Sequence, residues 1–168
     1  MAERAWIRGA QRGSVDDLER LFREHWPRAL RAARLVTGDA AAAEDIAQEA
    51  FLAAVRNLDR FDRRRPFGPW LHRIVVNRAI DWARSRRLRA ETSLDGLAAR
   101  PARRELSDEV VAALAALAPE HRAVIVLRHL LGYSPGEVAR ILDLPRGTVN
   151  SRLRRGLDSL QERLADEA

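Results

Sequence analysis

The last third of the chain carries a short helix, a turn and a second helix whose side chains could bind DNA. In the first helix Ser134 is a candidate N-cap, Pro135 suits the first helical position, and Glu137 stands where a capping-box carboxylate belongs. Residues 143–145 (Asp-Leu-Pro) end that helix, and the second helix is predicted to begin at about Arg146. The pattern is typical of a helix-turn-helix.

The second helix has an apolar stripe and a polar face opposite to it. The stripe consists of Val149, Leu153, Leu157, Leu160 and Leu164. At about 100° per residue, the opposite face carries Thr148, Ser151, Arg154 and Arg155. Hydroxyl and guanidinium groups read base edges and phosphates when such a helix enters a major groove. The alternative is a solvated basic face on a helix that serves only the core.

Composition favours an all-α fold of two small domains. Of the 168 residues, 46% are hydrophobic and 32% charged, with only 9 glycines and 7 prolines and little strand-like alternation. The helical pattern is lost over residues 89–106. We therefore predict a helical bundle over 1–88, a flexible linker over 89–106 and a helix-turn-helix domain over 107–168.

Charge is distributed unevenly and indicates two kinds of partner. All 30 basic residues are arginine, and residues 60–89 hold ten of them against Asp62 and Asp81. Residues 39–59 instead hold five acidic residues against Arg56. A strongly basic segment of this kind is typical of a nucleic-acid surface.

The basic segment also contains aromatic rings. Residues 59–69, with two prolines and a glycine, are predicted to be an irregular loop before a helix from Trp70 to about Arg87. Guanidinium groups beside aromatic faces suit unstacked bases and single-stranded backbone. The alternative is that the rings belong to the core and the arginines are only solvated. The rings and arginines are Phe61, Phe67, Trp70, Trp82, Arg63, Arg64, Arg65, Arg73, Arg78 and Arg84.

Two helices are predicted before this loop. The first begins at Ser14 and has an apolar face that includes Leu18, Leu21, Phe22 and Leu30, with a kink or break at Pro27. The second, over 40–58, is capped by Asp39 and has a core stripe of Ala47, Phe51, Ala54 and Leu58. Its other side carries Asp45, Gln48, Glu49, Leu52 and Arg56. An acidic outer face is ordinarily a solvated surface, and the alternative, which Leu52 among the acids suggests, is a protein-docking face.

No group of residues predicts catalysis or a cofactor. The four histidines lack the spacing of a metal site, there is no cysteine, and no glycine-rich phosphate loop or nucleophile elbow is present. We therefore expect no catalytic residue, no metal and no cofactor. With no apolar run of signal or membrane-spanning length, we expect a cytoplasmic protein without membrane insertion.

These motifs, in this order, resemble the bacterial sigma factors of the extracytoplasmic-function (ECF) group. Residues 37–39 (Thr-Gly-Asp) and 43–51 (Ala-Glu-Asp-Ile-Ala-Gln-Glu-Ala-Phe) are similar to region 2.2, which docks on the β′ clamp helices of RNA polymerase. Residues 61–81 are similar to regions 2.3 and 2.4, which melt and read the minus-ten element. Residues 117–122 and the helix-turn-helix are similar to region 4, which reads the minus-thirty-five element and contacts the β flap.

The resemblance implies a function and a set of site residues. The protein is expected to bring core RNA polymerase to promoter DNA and to be regulated by an anti-sigma factor. Polymerase contacts are expected at Asp45, Gln48, Glu49 and Leu52, and also at Phe51, although Phe51 falls on the core stripe. Minus-ten contacts are expected at Arg63, Arg64, Arg65, Phe67, Trp70, Arg73, Asn77, Arg78 and Arg84. Minus-thirty-five contacts are expected at Arg146, Thr148, Asn150, Ser151, Arg152, Arg154 and Arg155.

Two positions depart from the family pattern, and two other functions remain open. Asp143 stands in a turn where the family commonly has glycine, and Asn150 stands where a basic residue is frequent. The alternative functions are a conventional helix-turn-helix regulator that binds duplex DNA without polymerase, and a protein that binds polymerase without conferring new start sites.

Overall fold

A computed structural model describes residues 1–92 and 106–166, and these residues form helices and turns without a strand. The N-terminal bundle consists of α1 (Ala2–Gln11), α2 (Val15–Thr37), α3 (Ala40–Arg56), a 3₁₀ turn (Leu58–Arg60) and α4 (Phe67–Thr92). The C-terminal domain consists of α5 (Asp108–Ala115), α6 (Pro119–Ile125), a π turn (Val126–Leu130), α7 (Pro135–Leu142) and α8 (Arg146–Asp166). The prediction of two all-α domains is confirmed.

Local capping signals set most helix ends where the sequence predicts them. The Ser14 hydroxyl accepts a hydrogen bond from the Asp17 amide, and Asp39 caps α3 by accepting from the Ala42 amide. Gly38 ends α2 with a φ of 67°, a left-handed conformation that glycine adopts without strain. Ser134 and Glu137 form the predicted capping box of α7.

Helix α2 and helix α4 differ from the prediction. Helix α2 continues through Pro27, so the predicted break is absent, while the alternative of a kink stays a prediction. Pro27 is exposed, and Leu21 and Ala29 on either side of it are fully buried in the bundle. Helix α4 begins at Phe67 rather than Trp70, since a proline at position 69 lies in the first turn, where its missing amide hydrogen costs no hydrogen bond. It ends at Thr92, so residues 89–92 of the predicted linker are helical, and residues 93–105 lie outside the described part.

Helix α1 was not predicted, and it braces the loop before α4. The Gln11 side-chain amide donates to the carbonyl oxygens of Leu58 and Phe61 at 2.9 and 3.1 Å. Gly9 is buried where α1 meets α2, and a Cβ at this position would fall 1.7 Å from an Asp17 carboxylate oxygen. The close approach of α1 and α2 therefore depends on the absence of a side chain at Gly9.

The stripe predicted on α8 is correct except at one position. Val149 and Leu153 are buried, whereas Leu157 is 39% exposed and Gly156 is buried in its place. A Cβ on Gly156 would lie 2.7 Å from Ile125 Cδ1, so glycine here lets α8 pack directly on α6. Residues 149, 153, 156 and 160 follow the 3.6-residue period more closely than the leucine series does.

We expect Gly156→Ala to destabilise the protein by about 1–2 kcal/mol. Overpacking against the buried Ile125 costs about 1–3 kcal/mol, and the better helix propensity of alanine returns only part of it. Urea denaturation followed by circular dichroism measures the change. Gly147→Ala on the same helix is the control, because its Cβ would meet nothing within 4 Å. Equal stability of the two variants would contradict the packing argument.

Candidate nucleic-acid interface and docking groove

The polar face of α8 is turned away from the core. Arg154 and Arg155 are exposed, Thr148 and Ser151 are half-buried, and the buried side of the helix is formed by Val149, Leu153 and Gly156. Of the other residues predicted to contact the minus-thirty-five element, Arg146 and Asn150 are exposed and Arg152 is half-buried. Helix α7 packs against α8 across the turn, as a helix-turn-helix requires.

In the loop before α4 the arginines are exposed, whereas the aromatic rings are buried or half-buried. Arg63, Arg64 and Arg65 are exposed, whereas the Phe67 ring is only 3% exposed and packs 5.7 Å from the ring of Phe61. In this arrangement the buried Phe67 ring supports the loop from the core, and it is not available to stack on a base. Trp70 is half-buried, with its ring centroid 4.6 Å from that of Phe61, so part of its surface remains open.

One loop arginine is held by a carboxylate. Asp62 accepts from the Arg64 side chain at 3.0 Å and from the Arg64 backbone amide at the same distance. These hydrogen bonds lower the pKa of Asp62 to about 2. The pair fixes the direction of the Arg64 side chain, while Arg63 and Arg65 are exposed on either side of it.

Helix α4 continues the basic surface, and three of the arginines predicted to contact the minus-ten element form ion pairs with other elements. Arg73 lies 3.8 Å from Asp143, Arg78 lies 3.2 Å from Glu49, and Arg84 contacts Glu120. Asn77 is exposed on the same side of the helix. The structure therefore places the predicted minus-ten residues on one loop and one helix. Part of their charge is already neutralised by other elements of the chain.

Helices α2 and α3 form an exposed apolar groove. Leu52 is 55% exposed and Val15 75% exposed, and the groove is also lined by Leu18, Phe22, Phe51 and Val55, with Gln48 and Glu19 at its rim. The Phe51 ring, only 5% exposed, meets the Phe22 ring edge-on at 5.0 Å and forms the floor. Phe51 therefore belongs both to the core and to the groove, which reconciles its two predicted positions.

The acidic side of α3 lies next to this groove. Asp45, Gln48, Glu49, Leu52 and Arg56 are exposed as predicted, and Ala47, Ala54 and Leu58 are buried. The α2 half of the groove was not recognised in the sequence, because Leu18 and Phe22 were assigned to the core face. Phe22 is 40% exposed. The signal available in the sequence was a third large apolar residue, Val15, close to Leu18 and Phe22.

The two domains are joined by arginines that donate to backbone carbonyls. From α2, Arg28 donates to the Leu131 carbonyl and Arg31 donates to the Leu130 carbonyl at 2.7 Å. From α6, the buried Arg122 donates to the Val36 carbonyl at 2.5 Å. We call these three side chains and their acceptors the arginine joint. They are long-range contacts, and no local pattern in the sequence predicts them.

A buried histidine lies beside the joint. His72 of α4 is fully buried, and its Nδ1 lies 2.6 Å from the Tyr133 hydroxyl, while its Nε2 has no hydrogen-bond partner among the described residues. Burial, with the charges of Arg28 and His25 nearby, lowers the pKa of His72 to about 3. The guanidinium of Arg28 stacks over the Tyr133 ring at 5.0 Å. His72 is therefore neutral in the folded protein at neutral pH.

The described residues contain neither a candidate metal site nor a candidate membrane-spanning helix. Over 1–92 and 106–166, no group of three or more His, Asp or Glu residues could hold a metal ion. Within the same ranges, no helix has the length and apolar character needed to cross a membrane.

Comparisons with known proteins identify the family. Residues 21–89 match the model of sigma-70 region 2, and residues 107–160 match that of sigma-70 region 4. The ECF RNA polymerase sigma factor SigL of Mycobacterium tuberculosis is 35% identical over 167 residues, which cover 94% of each chain. SigW of Bacillus subtilis is 37% identical over 147 residues, covering 77% of this chain and 79% of SigW. The chain belongs to the ECF sigma factors.

Solved structures agree with this family. CnrH in complex with the cytosolic domain of CnrY is 29% identical, with a TM-score of 0.77 and full coverage of both chains. The sigma factor RpoE of Bartonella quintana, in complex with the anti-sigma factor NepR, is 26% identical with a TM-score of 0.74, over 90% of this chain and 98% of that one. As an ECF sigma factor, the protein binds core RNA polymerase and directs initiation from specific promoters. Sigma factors are not a family of enzymes.

We expect acid to destabilise this ECF sigma factor between about pH 6.5 and pH 4.5 through His72. The pKa of His72 is about 3 in the folded protein and near 6.5 in the unfolded chain, so as pH falls the unfolded chain takes up this proton first. The contribution of His72 to the free energy of unfolding is therefore complete above pH 6.5 and is lost as pH falls towards 3. The slope from one group is at most about 1.4 kcal/mol for each pH unit. Urea denaturation at a series of pH values measures it.

The control for this pH dependence is the exposed His129. His72→Gln should flatten the slope in this window, whatever its effect on stability at neutral pH, and His129→Gln should not. The same slope in His72→Gln as in wild type would show that other groups cause it.

Proposed function

We propose that this sigma factor docks on core polymerase through the groove between α2 and α3. The observation that carries the proposal is an unpartnered apolar groove beside an acidic helix face. Leu52 and Val55 project from α3 at its edge, and Asp45 and Glu49 are exposed next to them. By resemblance to region 2.2, the occupant is the β′ clamp-helix coiled coil. Its apolar side chains would enter the groove and its basic residues would meet the acids.

We propose that the two basic surfaces contact different forms of the promoter. The polar face of α8, with Thr148, Ser151, Arg154 and Arg155, suits the major groove of a duplex minus-thirty-five element. Arg146, Asn150 and Arg152 flank this face. The exposed loop arginines 63–65, the open side of Trp70, and Arg73, Asn77, Arg78 and Arg84 on α4 suit an unstacked minus-ten strand. Phe67 would act by supporting this loop.

Further partners are proposed from the family and its relatives. Region 4 would contact the β flap of polymerase. The structures of CnrH with CnrY and of RpoE with NepR support an anti-sigma partner for this chain as well. The site of action would be the cytoplasm, where polymerase and the chromosome are found.

Transcription of fragmented genomic DNA by core polymerase, with and without this protein, tests the proposed function. We expect discrete protein-dependent RNA 5′ ends that share two upstream elements. No new starts, together with binding of the free protein to duplex DNA, would identify a conventional regulator instead. Retention on core polymerase without new starts or DNA binding would identify an interaction protein.

We expect Leu52→Ser to weaken binding to core polymerase about 10- to 100-fold. Full burial of a leucine side chain contributes about 1.5–3 kcal/mol, and about 1.4 kcal/mol corresponds to tenfold in affinity. Fluorescence anisotropy of labelled protein titrated with core polymerase measures the change. Leu88→Ser is the matched control, because Leu88 is 64% exposed on α4 and lies outside the groove. Equal affinities of the two variants would remove Leu52 from the interface.

A further inference from the structure

Two arginines assigned to the minus-ten strand are held by carboxylates of the C-terminal domain. Arg73 lies 3.8 Å from Asp143, at the turn of the helix-turn-helix, and Arg84 contacts Glu120 in the first turn of α6. A carboxylate and a phosphate offer a guanidinium the same kind of oxygen acceptor. In this arrangement the C-terminal domain occupies positions on α4 where the DNA backbone is expected to lie.

Asp143 is unusual in its backbone as well as in its position. It ends α7 with a φ of 54°, and it is the one residue other than glycine with a positive φ in the described ranges. Glycine adopts this left-handed conformation without strain, and aspartate tolerates it better than most residues. The turn therefore carries a carboxylate at a position that would suit glycine, and this carboxylate faces Arg73.

These ion pairs alone do not hold the domains together. The side chains of Arg73 and Asp143 are 49% and 82% exposed, and exposed pairs of this kind contribute little and exchange readily with phosphate. The buried part of the interface consists of Arg122 from the arginine joint and the hydrogen bond between His72 and Tyr133, while Arg31 is half-buried and Arg28 is exposed. This interface places Asp143 and Glu120 beside α4, and the exposed pairs then compete with DNA.

The groove between α2 and α3 remains accessible while the C-terminal domain packs on α4. Val15, Phe22, Leu52 and Val55 remain 40–75% exposed while the C-terminal domain covers part of α4. None of the groove residues takes part in the arginine joint. The free protein can therefore dock on core polymerase before its minus-ten surface is uncovered.

We propose that the C-terminal domain is an internal competitor of promoter DNA. In the free protein, Asp143 and Glu120 take the places of DNA phosphates on Arg73 and Arg84, and opening of the arginine joint uncovers them. The inference rests on the proposed assignment of Arg73 and Arg84 to DNA. It adds a regulatory contact within the chain itself.

The distance between the domains provides the first test. Because the chain has no cysteine, Ala41→Cys and Glu162→Cys introduce two exposed labelling sites, one in each domain, for single-molecule energy transfer. Arg28→Ala with Arg31→Ala should shift the free protein from one compact distance to a longer, broader distribution. Arg20→Ala with Arg23→Ala is the matched control, since these arginines are exposed and pair with Asp17 and Glu19 of the same helix.

DNA binding by the free protein provides the second test, with a mixed-sequence forked DNA as the probe. Asp143→Asn with Glu120→Gln should raise affinity at least about threefold above Glu162→Gln with Asp166→Asn, which removes the same charge from the exposed end of α8. Opening the joint with the Arg28 and Arg31 variant should raise affinity relative to the Arg20 and Arg23 control, despite the equal loss of positive charge.

Three results would overturn the inference. They are an extended wild-type protein in the distance measurement, no effect of opening the joint, and equal gains in affinity from the two acidic pairs. The start-site experiment separates these failures from failure of the proposed function. Protein-dependent promoters with an extended free protein would retain the sigma activity and remove the internal competitor. Absence of protein-dependent starts would remove the proposed function itself.

Discussion

The structure depends on a buried positive charge that donates to backbone carbonyls. Arg122 is 6% exposed and donates to the carbonyl oxygens of Leu114, Ala115, Leu117 and Val36. Burial lowers its pKa to about 10, so it remains protonated at neutral pH. Ala115 and Val36 lie at the C-terminal ends of α5 and α2, where carbonyls lack partners within their helices and carry the negative ends of the helix dipoles. One guanidinium thus joins a helix end in one domain to a helix end in the other.

Arginine is suited to this use because of its shape. Five donors in a planar fork can reach several carbonyls at once, and the charge persists under burial that would neutralise a lysine. Arg28 and Arg31 repeat the same chemistry at the end of the π turn. In a chain whose 30 basic residues are all arginine, basic side chains therefore serve two purposes. Some join helix ends inside the molecule, and others present charge to solvent on α4 and α8.

The elements predicted correctly are those set by local chemistry. The capping box at Ser134 and Glu137, the Asp39 cap of α3 and the two-sided pattern of α3 each involve residues within a few turns of one another. The elements missed depend on distant partners. Helix α1 is stabilised by packing against α2 and by hydrogen bonds to the carbonyls of Leu58 and Phe61, and the role of Gly156 depends on its contact with Ile125. The unbroken helix through Pro27 likewise reflects burial of its neighbours in the bundle.

The candidate site shows the same division. Residue type and helical spacing indicated which side chains of α3, α4 and α8 are exposed and polar, because one face of each helix must be apolar. They did not indicate what those side chains contact within the protein. Arg78 was assigned to DNA and Glu49 to polymerase, yet the two lie 3.2 Å apart. The exposed face of α3 and that of α4 therefore meet at this ion pair, where one charge from each face is paired with the other.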